Sequence, residues 1–171
     1  MIIIVNADLF QRLGDPLTYI LFMEGYKKYA GELPVYTMAD SAYGSYDNYM
    51  YCISNGMNIV MKYNMYAKKN TPEFKKKKYN THNREETEEG YRICPGEQIF
   101  NEHLYDRYDE SGEYLRITQH YGNKDQCKGC EQAKECCNNK HRIVTRNAVL
   151  HEFYAEVEEI LSSEFGKELK K

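Results

Sequence analysis

The chain has 171 residues, room for one hydrophobic core with an appendage but not for two full-sized domains. Its 23 basic and 26 acidic residues give a net charge of −3, which excludes a protein that coats nucleic acid or an anionic membrane over its whole surface; any polyanion contact has to be local. No apolar run approaches the ~20 residues that span a bilayer, and the apolar opening Met1 to Val5 stops at Asn6 without a basic leader, so the expectation is a soluble cytoplasmic protein with no membrane partner. In chain order, Ile2 to Val5 is a short β-branched run that predicts a buried strand. Asp15 and Pro16 then supply a cap and a first-turn proline for a helix with Leu17, Ile20, Leu21, Tyr26 and Tyr29 on its apolar face and Gly31 at its end. Pro34 to Ala39 is strand-like and stops at Asp40. Ser45 can cap a second helix carrying Tyr46, Tyr49, Met50 and Ile53, closed by Asn55-Gly56, and a strand from Asn58 to Lys62 follows. Strand, helix, strand, helix, strand with short links is the pattern of an α/β sheet with parallel neighbours.

After Lys62 the character changes. Between Lys62 and Arg84 there are eight basic residues and one acidic, Glu73, followed at once by Glu85, Glu86, Glu88 and Glu89. Two readings of this stretch stand side by side. One is a solvated charged loop; the other is an arm in which Lys68, Lys69 and the run Lys75, Lys76, Lys77, Lys78 meet nucleic-acid phosphates, with Tyr63, Tyr66, Phe74 and Tyr79 placed to stack on bases. Strand-like pieces at Tyr91 to Ile93, Gln98 to Phe100 and Tyr114 to His120 come next. From Ala148 a long helix is predicted, with Leu150, Phe153, Val157, Ile160 and Leu161 on one face and Glu152, Glu156, Glu158 and Glu159 largely opposite. The segments are therefore 1–62, an α/β core; 63–146, a basic and cysteine-rich insertion; and 147–171, a returning helix.

Six cysteines without an export signal point to thiols in a reducing compartment, where clustered cysteines are more often metal ligands than disulfides. Cys94-Pro95-Gly96 and Cys127-x2-Cys130-x5-Cys136 have the spacing of a four-thiolate structural Zn²⁺ site, in which Cys127 and Cys130 bite one ion through a tight turn and Cys94 and Cys136 complete the tetrahedron. A metal there would substitute for the core that this polar insertion lacks. Cys137 and His141 are alternative ligands, free thiols are the alternative to any metal, and Cys52 reads as a small core residue. The five histidines show no ligand pair at helical spacing and read as surface residues.

Asp40 lies at the end of a predicted strand, followed by small residues and a helix start, where α/β sheets gather ligands and metals; a turn-forming or capping role is the plainer reading. Several stretches together resemble the DDE-type transposases of bacterial insertion sequences: Ala39-Asp40-Ser41-Ala42-Tyr43-Gly44-Ser45 within Val35 to Tyr49, then Val60 to Met65, the cysteine pattern, and Leu161 to Leu169. The resemblance covers Phe10 to Lys171. It implies a partial RNase H-like fold with the cysteine-rich segment as an insertion before the last catalytic helix. It also implies that Asp40 is the second acidic residue of the catalytic triad, a ligand of Mg²⁺ or Mn²⁺, and that DNA is the partner.

The family's first catalytic Asp falls upstream of the matching segment and its Glu falls after it. One of three metal-binding carboxylates is therefore expected here, and a two-ion phosphoryl-transfer site needs more. The sequence thus predicts a catalytically inactive transposase fragment, with apolar sheet surface left uncovered. The alternatives are a DNA-binding or transposase-interacting regulatory fragment, nucleoid-associated when bound and with full-length transposase as a partner, or an enzyme whose missing carboxylates arrive from another chain.

Overall fold

The computed structural model describes residues 7–11, 14–138 and 140–168. The strand expected at Ile2 to Val5 lies outside these residues. Among them the helices are α1 (Pro16–Ala30), α2 (Tyr46–Ser54), α3 (Pro72–Lys75), α4 (Lys124–Cys127), α5 (Ala133–Cys137), α6 (Ala148–Ser162) and α7 (Glu164–Glu168). The strands are β1 (Tyr36–Ala39), β2 (Asn58–Met61), β3 (Glu102–Asp109), β4 (Arg116–Gly122) and β5 (Val144–Arg146). The chain divides into two compact units, one made of Met1–Asn64 with Glu152–Lys171 and one of Met65–His151.

In the first unit β1 and β2 pair in parallel, from Tyr36 opposite Asn58 to Ala39 opposite Met61, and α2 makes the connection between them. Local signals account for the ends. Ser45 Oγ accepts the Asn48 amide at 3.3 Å at the start of α2, and Gly31 adopts φ 87° after α1, its N–H bonding the Lys27 carbonyl. Asp15, by contrast, makes no capping bond, and Pro16 at the first turn starts α1 without one. The apolar face expected for α1 is also replaced: Leu17, Leu21 and Tyr29 are exposed, whereas Tyr19 and Met23 are buried. This helix is apolar nearly all round, so hydrogen bonding chooses its orientation. Only from the buried face can the Tyr19 hydroxyl reach Thr37 on β1, at 2.7 Å, and Cys52 on α2, at 3.2 Å.

α2 buries Tyr46, Tyr49, Tyr51 and Cys52 and leaves Ile53 exposed. Its Asn48 is 1% exposed and donates through Nδ2 to the carbonyls of Pro16, at 3.1 Å, and Tyr43, at 2.8 Å, joining the start of α1 to the loop after β1. Phe153, Val157 and Leu161 form the buried stripe of α6, with the Phe153 ring 5.5 Å from Tyr49 and Tyr154 stacked on Tyr63 at 4.0 Å. The glutamates of α6 divide: Glu152, Glu156 and Glu159 are exposed as expected, but half-buried Glu158 accepts a hydrogen bond from the Tyr63 hydroxyl.

The second unit is built on the antiparallel sheet β3–β4–β5, with an irregularity between His103 and Tyr105. The expected strands at Tyr91 to Ile93 and Gln98 to Phe100 reduce to isolated bridges, Glu86 with Arg92 and Ile93 with Ile99. β3 has no counterpart among the sequence expectations, because Glu-His-Leu-Tyr-Asp-Arg-Tyr-Asp shows no run of apolar alternation; it is an edge strand with most side chains at least partly in water. The apolar core of this unit is small: Phe100, Tyr121 and Val144, with Tyr91 and Cys94 packed against it. The lysine run is more ordered than a loop. Thr71 caps α3, Phe74 is buried, and Asn83 Nδ2 donates to the carbonyls of Phe74 and Lys77 at 2.6 and 3.1 Å.

In the first unit, a Cβ on Gly44 would stand 2.6 Å from the Lys62 carbonyl oxygen and 2.8 Å from the Tyr49 hydroxyl. Gly44→Ala should therefore destabilise the fold by about 1–3 kcal/mol in denaturant unfolding. Burial pushes the Cys52 thiol up to about 11, the Tyr19 hydrogen bond only partly opposing it. Its contribution to stability is complete below the ordinary thiol range and is lost as pH rises towards 11. Cys52 should resist alkylation at pH 8 in the folded chain and react only on unfolding, as peptide mass mapping would show.

Candidate metal centre

Cys94, Cys127, Cys130, Cys136 and Cys137 all line one cavity of about 50 Å³ in the second unit, together with Phe100, Asn123 and Ala133. The elements that bring them there are short. Cys94 opens a turn in which its amide bonds the Gln98 carbonyl at 2.8 Å and Glu97 takes φ 62°. Cys127 ends α4; Gly129, at φ 82°, turns the chain so that Cys130 follows on the same side; and α5 carries Cys136 and Cys137. All six cysteines are free thiols. Among the described residues no three His, Cys, Asp or Glu side chains are grouped as they would be around a bound ion, so the fit to zinc rests on the donor chemistry of this cavity.

That chemistry distinguishes the sulfurs. Cys94 Sγ accepts two backbone N–H groups, from Gly96 and Gln98, each at 3.3 Å. Cys137 does the opposite: its Sγ donates to the Ala133 carbonyl at 3.3 Å and to the Lys140 carbonyl, and burial together with Cys136 and Cys127 pushes its thiol above the ordinary range. Among these sulfurs Cys137 is therefore the one held as a neutral thiol. His141 is exposed and does not line the cavity.

Arg84, which no sequence motif singles out, supplies a further observation. It is 6% exposed, its Nη2 lies 3.5 Å from Cys136 Sγ, its guanidinium sits 4.9 Å from the Phe100 ring centroid, and its Nε and Nη1 are buried without a hydrogen-bond partner. A buried guanidinium of this kind is costly unless negative charge faces it. Four thiolates around Zn²⁺ carry a net charge of about −2 and would provide it. No spacing rule marks Arg84 in the sequence; the only hint is an arginine at the end of the basic stretch.

None of the lysines singled out lines this cavity. Lys75, Lys76, Lys77 and Lys78 are all exposed, with Lys77 Nζ 6.0 Å from the Phe74 ring and Lys78 Nζ 5.5 Å from the Tyr79 ring; Lys68 is exposed and Lys69 half-buried in the 3₁₀ turn Lys68–Asn70. Asp40, in the first unit, is exposed just past the carboxyl end of β1, where its Oδ1 accepts the Ala42 amide at 3.0 Å and the Ser41 hydroxyl at 3.1 Å. These bonds, with a smaller contribution from Lys62, hold its carboxyl below the usual range. Asp40 therefore caps the 3₁₀ turn Ser41–Tyr43. Among the described residues no group of three potential metal ligands is gathered around it. Comparison with protein-family models, curated proteins and solved structures finds no match.

Cys136→Ser should abolish stoichiometric zinc in the purified chain, whereas Cys137→Ser should retain it, by elemental analysis. Arg84→Met should weaken zinc binding about 10-fold or more in chelator competition.

Proposed function

We propose that this chain is part of a DDE-type DNA transposase: a piece of an RNase H-like core carrying a zinc-held insertion that contacts DNA, without strand-cleaving activity of its own. The observation that carries this reading is the occurrence, within one unit, of a cavity lined by five cysteines and a solvent-facing run of four lysines. The parallel β1–α2–β2 unit with Asp40 at the carboxyl end of β1 supports the RNase H-like part. Zinc, held by Cys94, Cys127, Cys130 and Cys136, would cross-link segments that bury little apolar surface. It would act structurally, since four thiolates leave no open position for a substrate.

The capping role of Asp40 favours a second reading, in which the chain is a non-catalytic DNA-binding or transposase-interacting regulator. Both readings give the lysine run the same task. The chain's own residues bind phosphate charge there, and no step of bond cleavage is assigned to them.

The zinc-loaded chain should bind duplex DNA with an affinity that falls steeply with salt. Replacing Lys75, Lys76, Lys77 and Lys78 by glutamate should remove most of that binding and lower the slope of log K against log salt by about 0.9 for each phosphate that is no longer neutralised. Asp40→Asn should leave binding unchanged. Nicking that depends on Mg²⁺ or Mn²⁺ and disappears in Asp40→Asn would overturn the inactivity of the isolated chain.

A further inference from the structure

A second cavity in the same unit, about 300 Å³, is lined by Asn80, Thr81, His82, Arg92, Arg142 and Thr145, with Ile143 and Val144 behind them and no Asp or Glu among its lining residues. Its charge is only partly neutralised. Arg92 pairs with Glu86 at 2.6 Å, but the same carboxylate is shared with His151 at 2.7 Å. Arg142 spends its N–H groups on neutral acceptors, the Cys136 carbonyl and the Thr81 hydroxyl, each at 3.3 Å, and forms no ion pair with a carboxylate of the described residues.

The neutral groups of the wall have donors to spare. Thr81 Oγ1 accepts from Arg142, which leaves its proton free for a ligand, and Asn80 Oδ1 accepts the His82 amide at 3.0 Å, which turns the Asn80 NH₂ into the group left to donate. Guanidinium, hydroxyl and amide donors around a cavity with no carboxylate in its wall complement a group that is anionic and only accepts. The lysine run adds direction, because exposed Lys75 to Lys78 lead through Tyr79 straight into Asn80 at the cavity wall.

We propose that this cavity is a phosphoryl-binding site that takes a backbone phosphodiester of the nucleic acid contacted by the lysine run. Its donor chemistry stands on the cavity itself; the identity of the ligand rests on the DNA-binding reading above. A free phosphate or phosphomonoester shares the same chemistry, and the test separates the sources.

The zinc-loaded full chain would be titrated with inorganic phosphate, and separately with a short DNA duplex, at constant ionic strength, following the backbone and ring signals of Asn80, Thr81 and His82 by NMR. Saturable shifts of these signals with both ligands are expected, with mutual competition. Asn80→Asp keeps an oxygen for the His82 amide but replaces the donor by a negative charge. It should weaken phosphate binding about 10-fold or more, with His82→Ala weakening it less. Replacing the four lysines by glutamate should reduce duplex binding and leave inorganic phosphate binding within about twofold, because those side chains do not line the cavity. No saturable shift with either ligand, or phosphate binding that ignores both cavity variants, overturns the site. Duplex binding that depends on the lysines but not on Asn80 also overturns it while sparing the DNA-binding reading. Phosphate saturation without any duplex binding keeps the site but overturns the phosphodiester as its ligand, and the DNA-binding reading with it.

Discussion

In the unit from Met65 to His151 one small apolar cluster and a cysteine-lined cavity lie side by side. The cluster is Phe100, Tyr121 and Val144, with Tyr91 and Cys94 against them; Phe100 and Cys94 also line the cavity. Cys94 belongs to both. Cys94 packs against the apolar cluster and also lines the cavity, so a cross-link there would fasten the core as well. The buried guanidinium of Arg84 depends on the same constraint, since one side of it is the Phe100 ring and another is Cys136. Apolar packing and charge balance thus meet on a few residues, and a loss at any of them should be felt by the others as a coupled, non-additive change.

The first unit solves a different problem, that of ordering an irregular loop after β1. Asn48 does so with one amide that reaches backward to Pro16 and sideways to Tyr43, while Gly44 lets that loop lie against the carboxyl end of β2. Asp40 takes part as a cap whose bonds all serve the loop. Asp40, Gly44 and Ser45 of the motif thereby each have a role in folding the loop, with any metal-binding role of Asp40 added to it.

Legibility followed physical locality. Gly31, Ser45 and the strand–helix–strand order from Pro34 to Lys62 were readable because capping and parallel connection are decided within a few residues. The orientation of α1 was not, because its apolar residues surround the helix and the choice is made by Tyr19 finding Thr37 and Cys52 elsewhere in the chain. β3 escaped for the complementary reason: a strand with most side chains partly in water carries no burial pattern to read. The gathering of cysteines was visible in their spacing, but the division between Cys94 as acceptor and Cys137 as donor appears only with backbone geometry. Arg84 and Arg142 act through tertiary neighbours, which no local rule anticipates.

Among the described residues neither β1 nor β2 has a second neighbouring strand, and Tyr36 and Met38 of β1 are 52% and 62% exposed, as is Val35 just before it at 67%. An extended segment with apolar side chains and unpaired backbone groups is the feature that chaperones and proteases engage. Where such an edge stays uncovered, the lifetime of a polypeptide in a cell depends less on how fast it is made than on whether something shields that edge.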